Sequence, residues 1–232
     1  MTDVGGGLAA ILIENVSPTN VLTKIRDNID LILSGGRLMR ELEKSYANVP
    51  NAEQIMKKRF EKVTDYDVIL IDCPPALSLI SSAVSVYAHY VIIPCSPDLL
   101  AFVGVKNTSA FLESLQTHMK KDGVEVAKLL GIVPTMFDHR RSLDNEIHDD
   151  LIRQVDAALL VDKPVIFKPI RADHKVKTSQ VKRRLLSETF KNSNAYQDYV
   201  ALGDSVLEAI RKIEAEKTGR KEVPTLETQP SI

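Results

Sequence analysis

Asp72 is the side chain in this sequence best placed to do chemistry. It closes the run Asp67-Val68-Ile69-Leu70-Ile71-Asp72, and Cys73, Pro74 and Pro75 follow it directly. Four consecutive branched apolar residues suit a strand buried on both faces of a parallel sheet. A carboxylate at the carboxyl end of such a strand lies where open α/β sheets bind ligands. In nucleotide hydrolases an aspartate in that place holds Mg²⁺ and the phosphates it carries. A plainer role fits the same residue, since an aspartate ahead of Pro-Pro can cap the following helix through its amides.

A second group lies in residues 168–184. Lys168, Arg171, Lys175, Lys177, Lys182, Arg183 and Arg184 face one acid, Asp173, in a chain whose formal net charge is only −1. Cations of this density neutralise nucleic-acid phosphates without reading sequence; a solvated basic face has the same composition. No aromatic residue interleaves with the charges, which argues against base stacking on single strands. His139-Arg140-Arg141 suits either a nucleotide or subunit contact or a solvated loop. His89, His118, His148 and His174 show no metal-ligand spacing. Ser78, Ser81, Ser82 and Ser85 share one helix but lack the G-x-S-x-G elbow of a nucleophilic serine.

These residues need a framework. With 232 residues, 44% hydrophobic and 26% charged, the chain is long enough for a sizeable core. No apolar run reaches membrane-spanning length, and no signal-peptide pattern opens the chain. This predicts a cytoplasmic protein with Cys73 and Cys95 as reduced core thiols. Apolar patterning predicts helices over 8–12, 38–46, 51–63, 75–87, 104–120 and 143–160, with a last one ending at Glu214. Strands are expected at 29–33, 67–72, 90–94, 126–134 and 164–167. Alternating strands and helices imply a three-layer, mainly parallel α/β sheet spanning residues 1–214. The polar, proline-containing residues 215–232 are expected as a disordered tail.

Three segments then acquire a family likeness. DYDVILIDCPPALSLI, AHYVIIPCSPDLLAFVGVKNTSAFLESL and LLGIVPTMFDHRRSLDNEIHDDL resemble, in order and spacing, the ParA/MinD/Soj partition ATPases. Ile93-Pro94, Gly104, Thr135-Met136-Phe137-Asp138 and Arg140 fall on that family's motif positions. GLAAIL, NIDLILSGGRLMRELE and YQDYVALGDSVLEAIRK extend the likeness over about residues 5–213. The resemblance implies a P-loop NTPase fold of ParA type, with ATP and Mg²⁺ as cofactors. It implies that Asp72 holds Mg²⁺ indirectly, by orienting a metal-bound water. Cys73, Pro74 and Pro75 would sense the γ-phosphate, and Thr135, Met136 and Arg140 would flank the nucleotide. It further implies a homodimer on the nucleoid that binds nonspecific DNA through the 168–184 cations and answers to a centromere-binding partner. Membrane attachment of the MinD kind is not expected, because the residues after Glu214 lack a basic amphipathic helix.

One part of the family pattern is missing. K-G-G-x-G-K-[ST] and the more general G-x-x-x-x-G-K-[ST] occur nowhere in the sequence, and no Asp-rich D-DPQ-N motif follows. Gly5-Gly6-Gly7 lacks the lysine and hydroxyl that meet phosphate and Mg²⁺, and Ser34-Gly35-Gly36 is too short to replace them. The expected fold is therefore one without its first β-α-β segment, and the strand that would flank residues 67–72 goes with it. Such a chain must re-pair its strands, borrow one or be part of a longer product. Two functions stay open: an ATPase of the partition family, and a relative that binds DNA or protein without nucleotide chemistry.

Overall fold

Leu8-Ala9-Ala10-Ile11-Leu12 has no polar face, so a helix built on it must be enclosed. In the computed structural model of the chain these residues form α1 (Gly7–Glu14), with Ala9, Ala10, Ile11 and Leu12 essentially inaccessible. The structure describes residues 6–39, 41–46, 48–74, 78–98, 101–157 and 163–218. They fall into two units, Met1–Tyr90 with Ala110–Lys128, and Val91–Ser109 with Leu129–Ile232.

In the first unit, α1 is followed by a hairpin of β1 (Thr23–Arg26) and β2 (Ile29–Leu31), paired antiparallel with Lys24 opposite Asp30. Both strands are exposed throughout, so the strand expected near residue 29 makes a surface ribbon instead of a sheet member. The helix expected over 38–46 is divided into α2 (Gly36–Met39) and α3 (Leu42–Tyr46). After a 3₁₀ turn at Ala52–Gln54 come α4 (Ile55–Phe60) and α5 (Leu79–Tyr87). Ile11, Leu12, Leu42, Ile55, Met56, Phe60, Ala83 and Val84 form one core. Each large side chain enclosed there contributes roughly 1.5–3 kcal/mol. Tyr46 ties α3 to α1 by donating its hydroxyl to the Leu12 carbonyl at 2.5 Å.

The expectation for residues 67–72 fails. They form no strand, and among the described residues no backbone group from Thr64 to Asp72 makes a backbone hydrogen bond. Val68, Ile69 and Leu70 are 59%, 42% and 91% exposed. An apolar run becomes a buried strand only where neighbouring strands take up its amides and carbonyls. No described strand pairs with them. Ile71 alone packs against the core of its unit.

The second unit carries the sheet. β3 (Tyr90–Cys95), β4 (Lys128–Pro134) and β5 (Val165–Ile166) lie in the order β3-β4-β5, and β5 runs parallel to β4 with Gly131 opposite Val165. β4 is the most enclosed strand, buried from Leu130 to Pro134. Of α6 (Ala101–Met119) residues 101–109 belong to this unit, with α7 (Ser142–Ala157); Val105, Ile132, Leu151 and Val155 make a core against which Ile93, Cys95 and Ile166 pack. α8 (His174–Val181), α9 (Leu186–Thr189) and α10 (Asn194–Thr218) complete the order. α10 runs to Thr218, beyond the expected end at Glu214, so 215–218 are helical; the rest of the expected tail lies outside the described residues. Cys95 is half-buried, whereas Cys73 is exposed, contrary to the expectation of two core thiols.

Candidate functional site

Asp72 follows directly on the residue that anchors its segment. Ile71 sits in the core while the Asp72 side chain is exposed. Its role as a helix cap is not realised, because α5 begins at Leu79 and takes Ser78 as its N-cap residue. The Cys73 thiol lies 3.9 Å from the Ile71 carbonyl, and partial desolvation together with the Asp72 carboxylate pushes its pKa up. A thiol held protonated in this way is a poor nucleophile. Pro74 is exposed; Pro75 lies outside the described residues.

The two glycine turns serve packing and not phosphate binding. The Leu8 and Ala9 amides at the start of α1 donate to the Leu33 and Ser34 carbonyls at 2.7 and 3.1 Å. Those amides would otherwise be the anion-binding end of the helix. A Cβ on Gly7 would overlap the Leu33 carbonyl, and one on Gly35 the Gly6 carbonyl, so both turns need glycine for close approach. The residues present therefore offer ATP·Mg²⁺ one exposed carboxylate, with no lysine and no free glycine cradle. They do not fit that group by themselves.

Thr135, Met136 and Arg140 lie on one loop at the end of β4. The Thr135 amide and hydroxyl both donate to the Cys95 carbonyl, at 2.7 and 3.2 Å, joining the ends of β3 and β4. Met136 has φ of 57° and is largely exposed, a left-handed conformation that is strained for a non-glycine residue. Phe137 turns inward, and its amide donates to the Ile170 carbonyl at 3.0 Å. Arg140 grips Asp138 with two bonds, Nε to Oδ1 and an Nη to Oδ2, both 2.9 Å. Those bonds from the Arg140 side chain, with its amide, hold the Asp138 carboxyl down at about 2. Asp144, buried in the first turn of α7, accepts the Asp138 amide at 2.9 Å and fixes the loop from beneath. Composition gave Asp144 no signal, because its task appears only when the loop folds back onto the helix.

The basic segment separates into two parts with different work. Arg171 is engaged with Asp198 on α10 through Nε at 2.8 Å and an Nη at 2.6 Å, and its amide donates to the same carboxylate. The Arg171 guanidinium in turn holds the Asp198 pKa down. Arg171 thus fastens α10 to the chain beside Phe137 and is not free for an outside ligand. Lys168 is exposed next to Phe167, and Lys175 is half-buried near the start of α8. Lys177 is exposed on α8, and Lys182, Arg183 and Arg184 crowd the turn into α9, all exposed. That turn is a left-handed helix stop. Arg183 has φ of 52°, its amide donates to the Gln180 carbonyl at 3.0 Å, and the Arg184 amide reaches the Ser179 carbonyl at 3.1 Å. Glycine usually occupies the position of Arg183 in such a stop. Lys182 lies 5.4 Å from the Phe190 ring centre, which steadies the turn.

The chain is similar to several known proteins. Residues 3–125 match the AAA_31 family, described as an AAA domain. Over 183 residues the chain is 26% identical to the virulence plasmid ParA family protein pGP5-D of Chlamydia psittaci, covering 78% of this chain and 64% of that one. The chain spans about a third of the length of several other curated relatives, including the chromosome-partitioning ATPase Soj of Thermus thermophilus at 33%. Among solved structures, cobyrinic acid a,c-diamide synthase from Mycobacterium smegmatis, with an ATP analogue and magnesium bound, aligns with a TM-score of 0.69 at 24% identity, over 97% of this chain and 78% of that one. A putative plasmid partition protein from Borrelia burgdorferi bound to AMPPNP aligns with a TM-score of 0.67 at 18% identity, over 92% and 76%. The fold is thus the α/β fold of ParA-like P-loop NTPases. With its Asp-Cys-Pro-Pro segment, its strand-end Thr-Met loop and these relatives, the chain belongs to the AAA_31 family, in the ParA/MinD group of partition ATPases.

Proposed function

We propose that this chain works in DNA partition as a ParA-like protein that holds DNA without sequence preference through the α8–α9 turn. In this reading it acts as a homodimer on the nucleoid, together with a centromere-binding partner. One observation carries it: Arg183 occupies a left-handed position where glycine is ordinarily favoured, between Lys182 and Arg184, and all three are exposed. Keeping a long cation at a strained stop costs roughly 1 kcal/mol, which folding alone gives no reason to retain. The three cations are consecutive and exposed, as a phosphate-positioning surface requires. Relatives named for plasmid and chromosome partition support the wider role. Nucleotide chemistry is not part of the proposal, since the residues present do not fit ATP·Mg²⁺.

Charge reversal tests the assignment. Lys182→Glu, Arg183→Glu and Arg184→Glu together should weaken retention of a random-sequence duplex and flatten its salt dependence. With each phosphate contact worth about 0.9 in the slope of log K against log salt, the slope should fall in magnitude by about 3. An unchanged slope would refute a DNA role for this turn.

A further inference from the structure

α8 ends with an apolar residue on its outer side. Ser179 is buried and donates its hydroxyl to the Val176 carbonyl at 2.9 Å, whereas Val181, two residues on, is 85% exposed. The Arg184 amide reaches back to Ser179 and the Arg183 amide to Gln180, so the chain turns over residues 182–184. A helix stop of this form is commonly closed by an apolar contact between the residue after the turn and the last turn of the helix. Here those positions hold Arg184, which is exposed, and Ser179. Leu185, the N-cap residue of α9, is 45% exposed. Single exposed apolar side chains are ordinary. What sets Val181 and Leu185 apart is their setting: Lys182, Arg183 and Arg184 lie between them, and Lys177 shares the face of Val181 one turn earlier, all exposed.

Four cations around two apolar side chains suit an anionic partner that also offers apolar surface. A lipid surface takes a helix by a continuous apolar face. α8 has none, because its other apolar side chain, Val176, is half-buried and its remaining residues are polar or charged. Duplex DNA instead accepts single apolar wedges between base steps in the minor groove, with cations on the phosphates beside them. We propose that the α8–α9 turn enters the minor groove of duplex DNA, where Val181 and Leu185 wedge against the bases and bend the duplex. Lys177, Lys182, Arg183 and Arg184 hold the flanking phosphates. This inference rests on the DNA-holding reading above and adds to it a groove, an apolar contact and a bend. The minor groove displays little of base identity, so such a contact needs no sequence preference. Its apolar part releases no counterions and is therefore nearly independent of salt.

The test uses the full chain and a random-sequence duplex labelled at both ends, with Kd read across a salt series and the bend read from the end-to-end distance. The unaltered chain should bend the duplex by roughly 20° or more. Val181→Ser with Leu185→Ser should abolish the bend and weaken binding about tenfold at every salt concentration, with the salt slope unchanged. Both positions are exposed and serine is a favoured N-cap residue, so far-UV circular dichroism should stay the same. Val181→Leu should keep both the bend and the affinity. A straight duplex with the unaltered chain, or full affinity in the serine variant, would overturn the groove contact. The phosphate surface would still stand if charge reversal at Lys182, Arg183 and Arg184 flattened the slope. No salt-dependent retention by the unaltered chain would overturn both. Binding to vesicles of phosphatidylcholine with phosphatidylglycerol, lost in the serine variant while DNA binding is kept, would overturn the groove contact in favour of a lipid surface.

Discussion

Asp138 and Arg140 show what a motif position becomes once its neighbours are fixed. The sequence offers Arg140 as a nucleotide contact, whereas the folded loop turns it back onto Asp138. The consequence is a pH dependence with a definite sign. The Asp138 carboxyl is lowered from 3.8 to about 2 by its bonds from Arg140, so the folded state prefers it ionised. Its contribution is complete above pH ~4 and is lost as pH falls through about 2, where the folded carboxyl takes up a proton. We expect a carboxyl-carbon NMR titration to place Asp138 well below an ordinary aspartate, and Arg140→Gln to return it most of the way. A titration near 3.8 in the unaltered chain would show that the pair does not persist in solution. Thr135 and Met136 were legible as a strand-end loop; the left-handed backbone at Met136 was not, because nothing local to a methionine demands it.

At the scale of elements, α8 and α10 are held by acids that sequence patterning gave no reason to choose. Asp173 caps α8 by accepting the Lys175 amide at 2.9 Å, and its second oxygen lies 3.5 Å from the Ala195 amide in the first turn of α10. Burial raises the Asp173 pKa, but these amide donors together with the charges of Lys175 and His174 leave it lowered. Asp198 completes the clasp by taking Arg171 from 27 residues away. Charge-assisted bonds of this kind contribute about 1.5–3 kcal/mol each when partly shielded. Arg171→Ala should therefore lower unfolding stability in urea by roughly 1–3 kcal/mol, while the salt slope of DNA retention stays the same. A flattened slope with unchanged stability would return Arg171 to the DNA surface. The helices themselves were readable wherever an apolar stripe repeated, as in Ile147, Leu151 and Val155 of α7. The single helix expected over 38–46 proved to be two, and the strand near residue 29 became a surface hairpin.

Over the whole molecule, the question is which machine these elements still make. The fold is that of P-loop NTPases, and of the solved neighbours one carries an ATP analogue with magnesium and another AMPPNP. Here the helix-end amides of α1 are used by Leu33 and Ser34, and no P-loop lysine occurs in the sequence. Phosphoryl transfer is nearly all positioning and charge stabilisation. Asp72 alone leaves most of that undone, since one oxyanion donor by itself is worth ~3–4 kcal/mol of barrier. Titration calorimetry of this chain with ATP and Mg²⁺ should show no micromolar binding, and a micromolar Kd would overturn that expectation. Among the described residues no helix is long and apolar enough to cross a membrane.

The sequence by itself determined the α/β class, the family and the existence of most helices, and showed that these 232 residues hold no lysine–glycine phosphate loop. These are properties of periodicity and motif order, which local residues carry. Only the tertiary structure decided that Val68, Ile69 and Leu70 stand exposed, that Arg171 is committed to Asp198 and that Arg183 is held in a left-handed stop. Each depends on partners distant in the chain or on a backbone state. A strand is a strand only beside another, and a cation is free only if no carboxylate folds back to meet it.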